Sequence, residues 1–132
     1  MDFALSSDQE MIRDTAEAFL AEASSSAAVR AAMQTATGFD DALWERIGQE
    51  LGWCATAIPE AYDGLDLGSV ELVLLMEQMG RRLPCAPFFS TVCLATSVLL
   101  EVADESARQR YLSHIAAGDL TATVALTSNG MD

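Results

Sequence analysis

From Leu83 to Leu100 the chain runs through eighteen residues without a single charge. Any fold it adopts must hide that stretch from water. Its length is close to that of a membrane-crossing helix, but Pro84 and Pro87 break its start, and Ser90, Thr91, Thr96 and Ser97 interrupt its apolar character. The sequence therefore predicts a buried helix and no membrane span. Pro87 suits its first turn, where a missing N–H costs nothing, and the helix should run to about Val102. A helix this apolar has to be surrounded by others, and the remaining sequence supplies them.

Ser7 followed by Glu10 has the spacing of a capping box. Met11, Ile12, Ala16, Phe19 and Leu20 then recur at helical spacing to about Ala23, with Arg13, Asp14 and Glu17 facing outward. The stretch Ser24 to Thr37 is rich in Ala, Ser and Thr, with Val29 and Met33 as its only large apolar anchors, and leaves room for a short helix. Asp40 or Asp41 caps the next helix, whose apolar face is Leu43, Trp44, Ile47 and Leu51 and which Gly52 is placed to end. Between Trp53 and Gly68 a proline, two glycines and several acids read as a long loop. Ser69 is the expected cap of a helix through Met79 that is apolar nearly all round and should be central. Asp104 caps a last helix with Ala107, Tyr111, Leu112 and Ile115 on its face, before Gly118.

The fold class is all-α: a bundle of about five helices. After Gly118 the composition changes, and Thr121 to Thr127 favour an extended conformation. One strand makes no sheet, and its unpaired backbone groups need partners. Either residues 120–132 pair with strands outside this sequence or they hang loose, and the helical domain is expected over residues 1–119.

Seven arginines, no lysine and twenty carboxylates give a net charge of -13, which repels nucleic acid and anionic lipid. The same charge opposes an anionic ligand unless arginines, here or elsewhere, stand beside it. Cys54, Cys85 and Cys93 are odd in number and form no Cys-x-x-Cys pair, so they read as core thiols. Asp2, Asp8, Glu10 and Asp14 crowd the start, where a signal peptide needs a basic region; the expected location is the cytoplasm. His114 is the only histidine, no Glu-x-x-His motif exists, and no metal site is expected. Glu60, Asp63 and Asp66 lack the spacing of a calcium loop. No nucleophile elbow or phosphate loop occurs, and no catalytic residue is assigned.

Four fragments occur together: Gly52-Trp53, then Ile58-Pro59-Glu60-Ala61-Tyr62-Asp63-Gly64, then Glu77-Gln78-Met79-Gly80-Arg81-Arg82-Leu83, then Pro87-Phe88. In this order and spacing they resemble the N-terminal helical domain of acyl-CoA dehydrogenases. The opening Phe3 to Glu10 and the stretch from Tyr111-Leu112 to Gly118-Asp119-Leu120 are similar to the same family, so the resemblance covers the whole chain.

The resemblance implies FAD-dependent α,β-desaturation of an acyl-CoA thioester, in which a glutamate removes the α-proton and the flavin N5 accepts the β-hydride. It also implies that residues 120–132 are the first strand of a following β-domain, that the glutamate comes from a C-terminal helical domain, that the flavin rests between the middle and C-terminal domains, that the enzyme is a homo- or hetero-oligomer, and that an electron-transferring flavoprotein is the acceptor. Carried over by position, Val124, Leu126 and Thr127 stand where the first strand of the β-domain meets the flavin, and Pro87, Ser90, Thr91 and Leu94 stand on the helix that lines the acyl chain. This chain departs from the family's pattern after Thr127, where Ser128-Asn129-Gly130-Met131-Asp132 replaces Glu-Pro and then Gly-Ser-Asp, and at Asp63 and Asp66, where glycines are usual. Acyl-CoA oxidases share the scaffold. So do non-catalytic companion subunits of heteromeric dehydrogenases.

Overall fold

The computed structural model describes residues 4–126. The order along the chain is α1 (Ser7–Ala23), α2 (Ser26–Ala32), α3 (Asp41–Glu45, continued by a π-helical turn Arg46–Glu50), α4 (Ser69–Arg82), α5 (a π-helical segment Phe89–Ala95 continued by Thr96–Val102) and α6 (Glu105–Ala116). Short 3-10 turns at Trp53–Ala55 and Glu60–Tyr62 punctuate the connection between α3 and α4. Five of the helices are those the apolar periodicity predicts. The sixth, α2, fills the room left after α1, and Ser25 caps it by accepting from the Ala28 N–H.

Asp40 and Asp104 cap α3 and α6 through their carboxylates. The cap of α1, however, is Ser6 with Gln9 rather than Ser7 with Glu10. Both pairs have the capping-box spacing, and a distant contact selects between them: Gln9 Nε2 donates to Glu71 on α4 at 2.8 Å. Ser69 likewise does not cap α4; Gly68 stands at the cap and Ser69 is the first helical residue.

The Gln9–Glu71 bond joins the starts of α1 and α4, and Ser24 Oγ donates to the Arg82 carbonyl at their ends. The two helices therefore run parallel, which requires the long connection between them. Ala16 and Leu20 of α1 bury against Leu75 and Met79 of α4, Leu43, Trp44 and Ile47 of α3, and Phe88 and Val92 at the start of α5. Each buried large aliphatic or aromatic side chain contributes on the order of 1.5–3 kcal/mol. Within the uncharged run Phe88, Thr91, Val92, Ala95 and Thr96 are buried, but Leu83, Phe89, Leu94 and Val98 are exposed, so the expectation of a fully buried helix is corrected. Among the described residues no helix is long and apolar enough to cross a membrane. The expectation that α4, apolar nearly all round, is central is corrected on one side: Val70 and Val73 are 48% and 63% exposed.

The connection over residues 53–68 has an apolar inner side, where Ala55, Ile58 and Tyr62 join Leu112, Ile115 and Ala116 of α6 in a second core, while Glu60, Asp63 and Asp66 are exposed. Three backbone bonds fold it on itself, from Leu65 to Ala55, Asp66 to Ile58 and Leu67 to Thr56, each 2.9 Å. Asp63 and Asp66 carry positive φ of 62° and 50°, the conformation glycine adopts most easily. Gly48 and Gly118 meet so closely that a Cβ on Gly48 would lie 2.8 Å from the Gly118 Cα. That approach lets Trp44 Nε1 donate to the Gly118 carbonyl at 3.1 Å and ties the end of α6 to α3.

Candidate functional site

Beyond Gly118, residues 120–126 form neither helix nor strand, and 120–125 lie beside α5 and α6 with alternating exposure. No described residue pairs with them as a strand; Thr127 and the rest of the expected strand lie outside the described residues. Two contacts hold the segment down. Asp119 and Leu120 N–H groups both donate to the His114 carbonyl at the end of α6. Further on, Thr91 Oγ1 accepts from the Ala122 N–H at 3.0 Å and donates to the Ala122 carbonyl at 3.1 Å.

Between the segment and the helices lies a groove of about 460 Å³, floored by Ala95, Leu99 and Ile115 and edged by Val98, Tyr111 and Val124. Its lining holds no charged side chain. It can accept an extended or flat apolar group and exclude water from it, at about 0.8 kcal/mol for each methylene covered. Ala95, Val98 and Leu99 follow helical spacing on one face of α5, but the sequence singles out Pro87, Ser90, Thr91 and Leu94 instead. Nothing in the sequence marked that face as facing a groove, because the partner wall comes from residues 120–125.

The structure separates the expected substrate-lining residues. Thr91 is fully buried and its hydroxyl is committed to Ala122. Ser90 Oγ donates back to the Pro87 carbonyl at 3.2 Å, Pro87 is half-buried, and Leu94 is 40% exposed on a neighbouring face of α5. Of the residues expected to meet a cofactor, Val124 lines the groove and Leu126 is 91% exposed. Cys93 on α5 is pushed up to about 11 by burial, so its thiol stays protonated near neutrality.

Residues 6–119 match the family model for the acyl-CoA dehydrogenase N-terminal domain. The chain belongs to the acyl-CoA dehydrogenase family. This domain is 32% identical over 120 residues to acyl-CoA dehydrogenase IpdE2 of Mycolicibacterium smegmatis, covering 91% of this chain and 37% of that protein. It is 30% identical over 88 residues to acyl-CoA dehydrogenase FadE27 of Mycobacterium tuberculosis, covering 67% of this chain and 23% of that one. Among solved structures it matches a variant of the Tcur3481-Tcur3483 steroid ACAD with a TM-score of 0.84 and 25% identity, covering 94% of this chain and 34% of that one. The fold is also that of a chain in the ChsE4-ChsE5 complex from Mycobacterium tuberculosis, with a TM-score of 0.87, 23% identity and coverage of 100% and 36%. The domain thus spans between about a quarter and just over a third of the length of these relatives.

The segment after Gly118 also leaves backbone groups unpaired. Among the described residues, the backbone N–H and C=O groups of Thr123 to Leu126 make no hydrogen bond. Free donors and acceptors in alternation beside an apolar groove are what a planar heterocycle rimmed with N–H and carbonyl groups requires. The residues present fit that group.

Proposed function

We propose that this chain is the N-terminal domain of an FAD-dependent acyl-CoA dehydrogenase that introduces an α,β double bond into an acyl-CoA thioester. The observation that carries the reading is the uncharged groove along α5, closed on one side by an extended segment with free backbone donors. A bound flavin would supply the hydride acceptor. The domain's own part is to exclude water and hold the acyl group. Pro87, just before α5, and Ser90, Thr91 and Leu94 on it are assigned to the acyl side although none of them lines the groove, with Thr91 acting through the segment it binds, and Val124, Leu126 and Thr127 are assigned to the flavin side. The catalytic base is assigned to a C-terminal domain, residues 120–132 to the start of a β-domain, and electron transfer to an electron-transferring flavoprotein. A cytoplasmic oligomer is the form proposed, and the name of the steroid ACAD favours a fused-ring or similarly bulky acyl group.

A second reading, a companion subunit that shapes a catalytic partner's pocket, is favoured by one specific observation: Glu-Pro is missing after Thr127. The ChsE4-ChsE5 complex shows that this fold occurs in two-component assemblies. The test is the absorption spectrum of the protein purified from its complete reading frame, alone and with any partner encoded beside it, before and after acyl-CoAs of different classes are added. Bound flavin that bleaches with one class supports the dehydrogenase. Flavin held only with the partner supports the companion subunit, and no flavin in either preparation overturns both.

A further inference from the structure

Four hydroxyl side chains line the middle of α5, and three of them serve their own helix. Ser90 donates to the Pro87 carbonyl, Thr96 Oγ1 to the Thr91 carbonyl at 3.0 Å, and Ser97 to the Cys93 carbonyl at 2.6 Å. This is the ordinary use of small hydroxyls in a helix. Thr91 breaks the pattern. Its hydroxyl makes no bond within α5 and instead reaches thirty-one residues along the chain, bonding both backbone groups of Ala122.

A buried N–H and C=O on a segment with no strand partner are costly unless both are paired. A hydroxyl is the smallest side-chain group that donates and accepts from one atom, so Thr91 replaces the missing neighbouring strand at a single residue. Its backbone is held as well. Where α5 widens into its π-helical turn, the Thr91 carbonyl accepts from both the N–H and the hydroxyl of Thr96, and wide turns of this kind recur at functional sites. Thr91 and Thr96 are both buried, at 0% and 1% exposure.

We infer that Thr91 is a positioning residue whose bracket on Ala122 sets the phase of the extended segment leaving the domain. Side chains in an extended chain alternate between faces. With Ala122 turned toward α5, Leu120 and Val124 also face the protein and are half-buried, while Thr121, Thr123 and Ala125 are exposed. Shifting the bracket by one residue would exchange the two faces. It would turn the half-buried Val124 away from the helices and the exposed Thr123 toward them. The consequence for flavin retention rests on the dehydrogenase reading; the bracket itself does not.

The test compares Thr91→Val, which keeps the shape and removes both bonds, with Thr91→Ser, which keeps the hydroxyl. Amide hydrogen exchange is followed by NMR on the 132-residue chain. In the unsubstituted protein the Ala122 amide should exchange at least ~10-fold more slowly than those of Thr123 and Val124, which lack partners. Thr91→Val should abolish that difference while Leu112 and Ile115 stay protected, and Thr91→Ser should restore it. An Ala122 amide that is unprotected in the unsubstituted protein, or protected equally in Thr91→Val, overturns the inference. So does a loss of protection spread evenly over the whole core, which marks plain destabilisation. If Thr91→Val does not fold, the unsubstituted protein and Thr91→Ser still decide. In the flavin-loaded protein from the complete reading frame, Thr91→Val should release flavin faster on dilution and Thr91→Ser should not. A protein that never holds flavin sinks the dehydrogenase reading and leaves the exchange result standing.

Discussion

Gly64 offers a measurement in which the structure sets the magnitude. A Cβ built there would lie 1.8 Å from the Ile58 carbonyl oxygen, 2.3 Å from its carbonyl carbon and 2.7 Å from its Cβ. Two of those three atoms are backbone, so no rotamer change relieves the collision. The two sides of the loop must part by about 1.2 Å to reach even a tight 3.0 Å contact. The bonds from Leu65 to Ala55 and from Asp66 to Ile58 span that gap at 2.9 Å, and both would open beyond hydrogen-bonding distance. Losing two backbone bonds costs about 2 kcal/mol, and the overpacking itself costs about 1–3 kcal/mol.

Gly64→Ala should therefore destabilise the domain by about 3–5 kcal/mol, a large part of the ~5–15 kcal/mol that holds a domain of this kind folded. Urea unfolding followed by the fluorescence of Trp53, buried beside the loop, measures it. Gly52→Ala is the control, because Gly52 has φ of +66° with nothing within 4 Å of its added Cβ. It isolates the left-handed backbone penalty of about 1–2 kcal/mol. A Gly64→Ala loss equal to or smaller than the Gly52→Ala loss would refute the reasoning and show that the loop opens freely.

Leu83 ends α4 in the left-handed conformation at φ of 52° while 69% exposed, so Leu83→Gly should raise stability by up to about 1 kcal/mol; a loss would mean its side chain packs more firmly than its exposure suggests. The Tyr62 phenol, which donates to Glu105 at 2.9 Å, is raised above its ordinary value of 10.0 first by that bond and then by burial. Its contribution to stability is full below that ordinary value and is lost as pH rises through the raised one. Ultraviolet titration should show the Tyr62 signal, assigned with Tyr62→Phe, moving back toward its ordinary value in Glu105→Ala, and an unmoved midpoint would count against the bond. Burial pushes Cys93 from 9.0 to about 11 and Cys54 from 9.0 to about 12. At pH 8 a disulfide reagent should therefore label Cys93 about a hundredfold more slowly than an ordinary thiol, from its smaller thiolate fraction alone, and Cys54 only on unfolding. Prompt labelling of Cys54 in the folded chain would contradict its burial.

Much of the helical frame was legible in the sequence because its causes are local. Asp40 and Asp104 cap helices by reaching three residues along their own chain, Gly52 ends α3 in a conformation it adopts at little cost, and the apolar faces follow from spacing alone. Where two local solutions were equivalent, a distant contact decided. Ser6 with Gln9 and Ser7 with Glu10 both satisfy the capping rule, and Glu71, sixty-two residues away, selects the first. The tightness of the loop at Gly64 and the approach of Gly48 to Gly118 were illegible for the same reason, since each depends on backbone brought close by tertiary packing. The site shows the division most clearly. The sequence determined that an apolar helix stands at α5 and that a helix ends near Gly118, since apolar spacing and a terminal glycine act wherever they stand. Only the tertiary structure decided that Thr91 serves that segment and that Ala95, Leu99 and Val124 close one groove. A hydroxyl in a helix has several possible partners, and which one it takes depends on what the fold lays beside it.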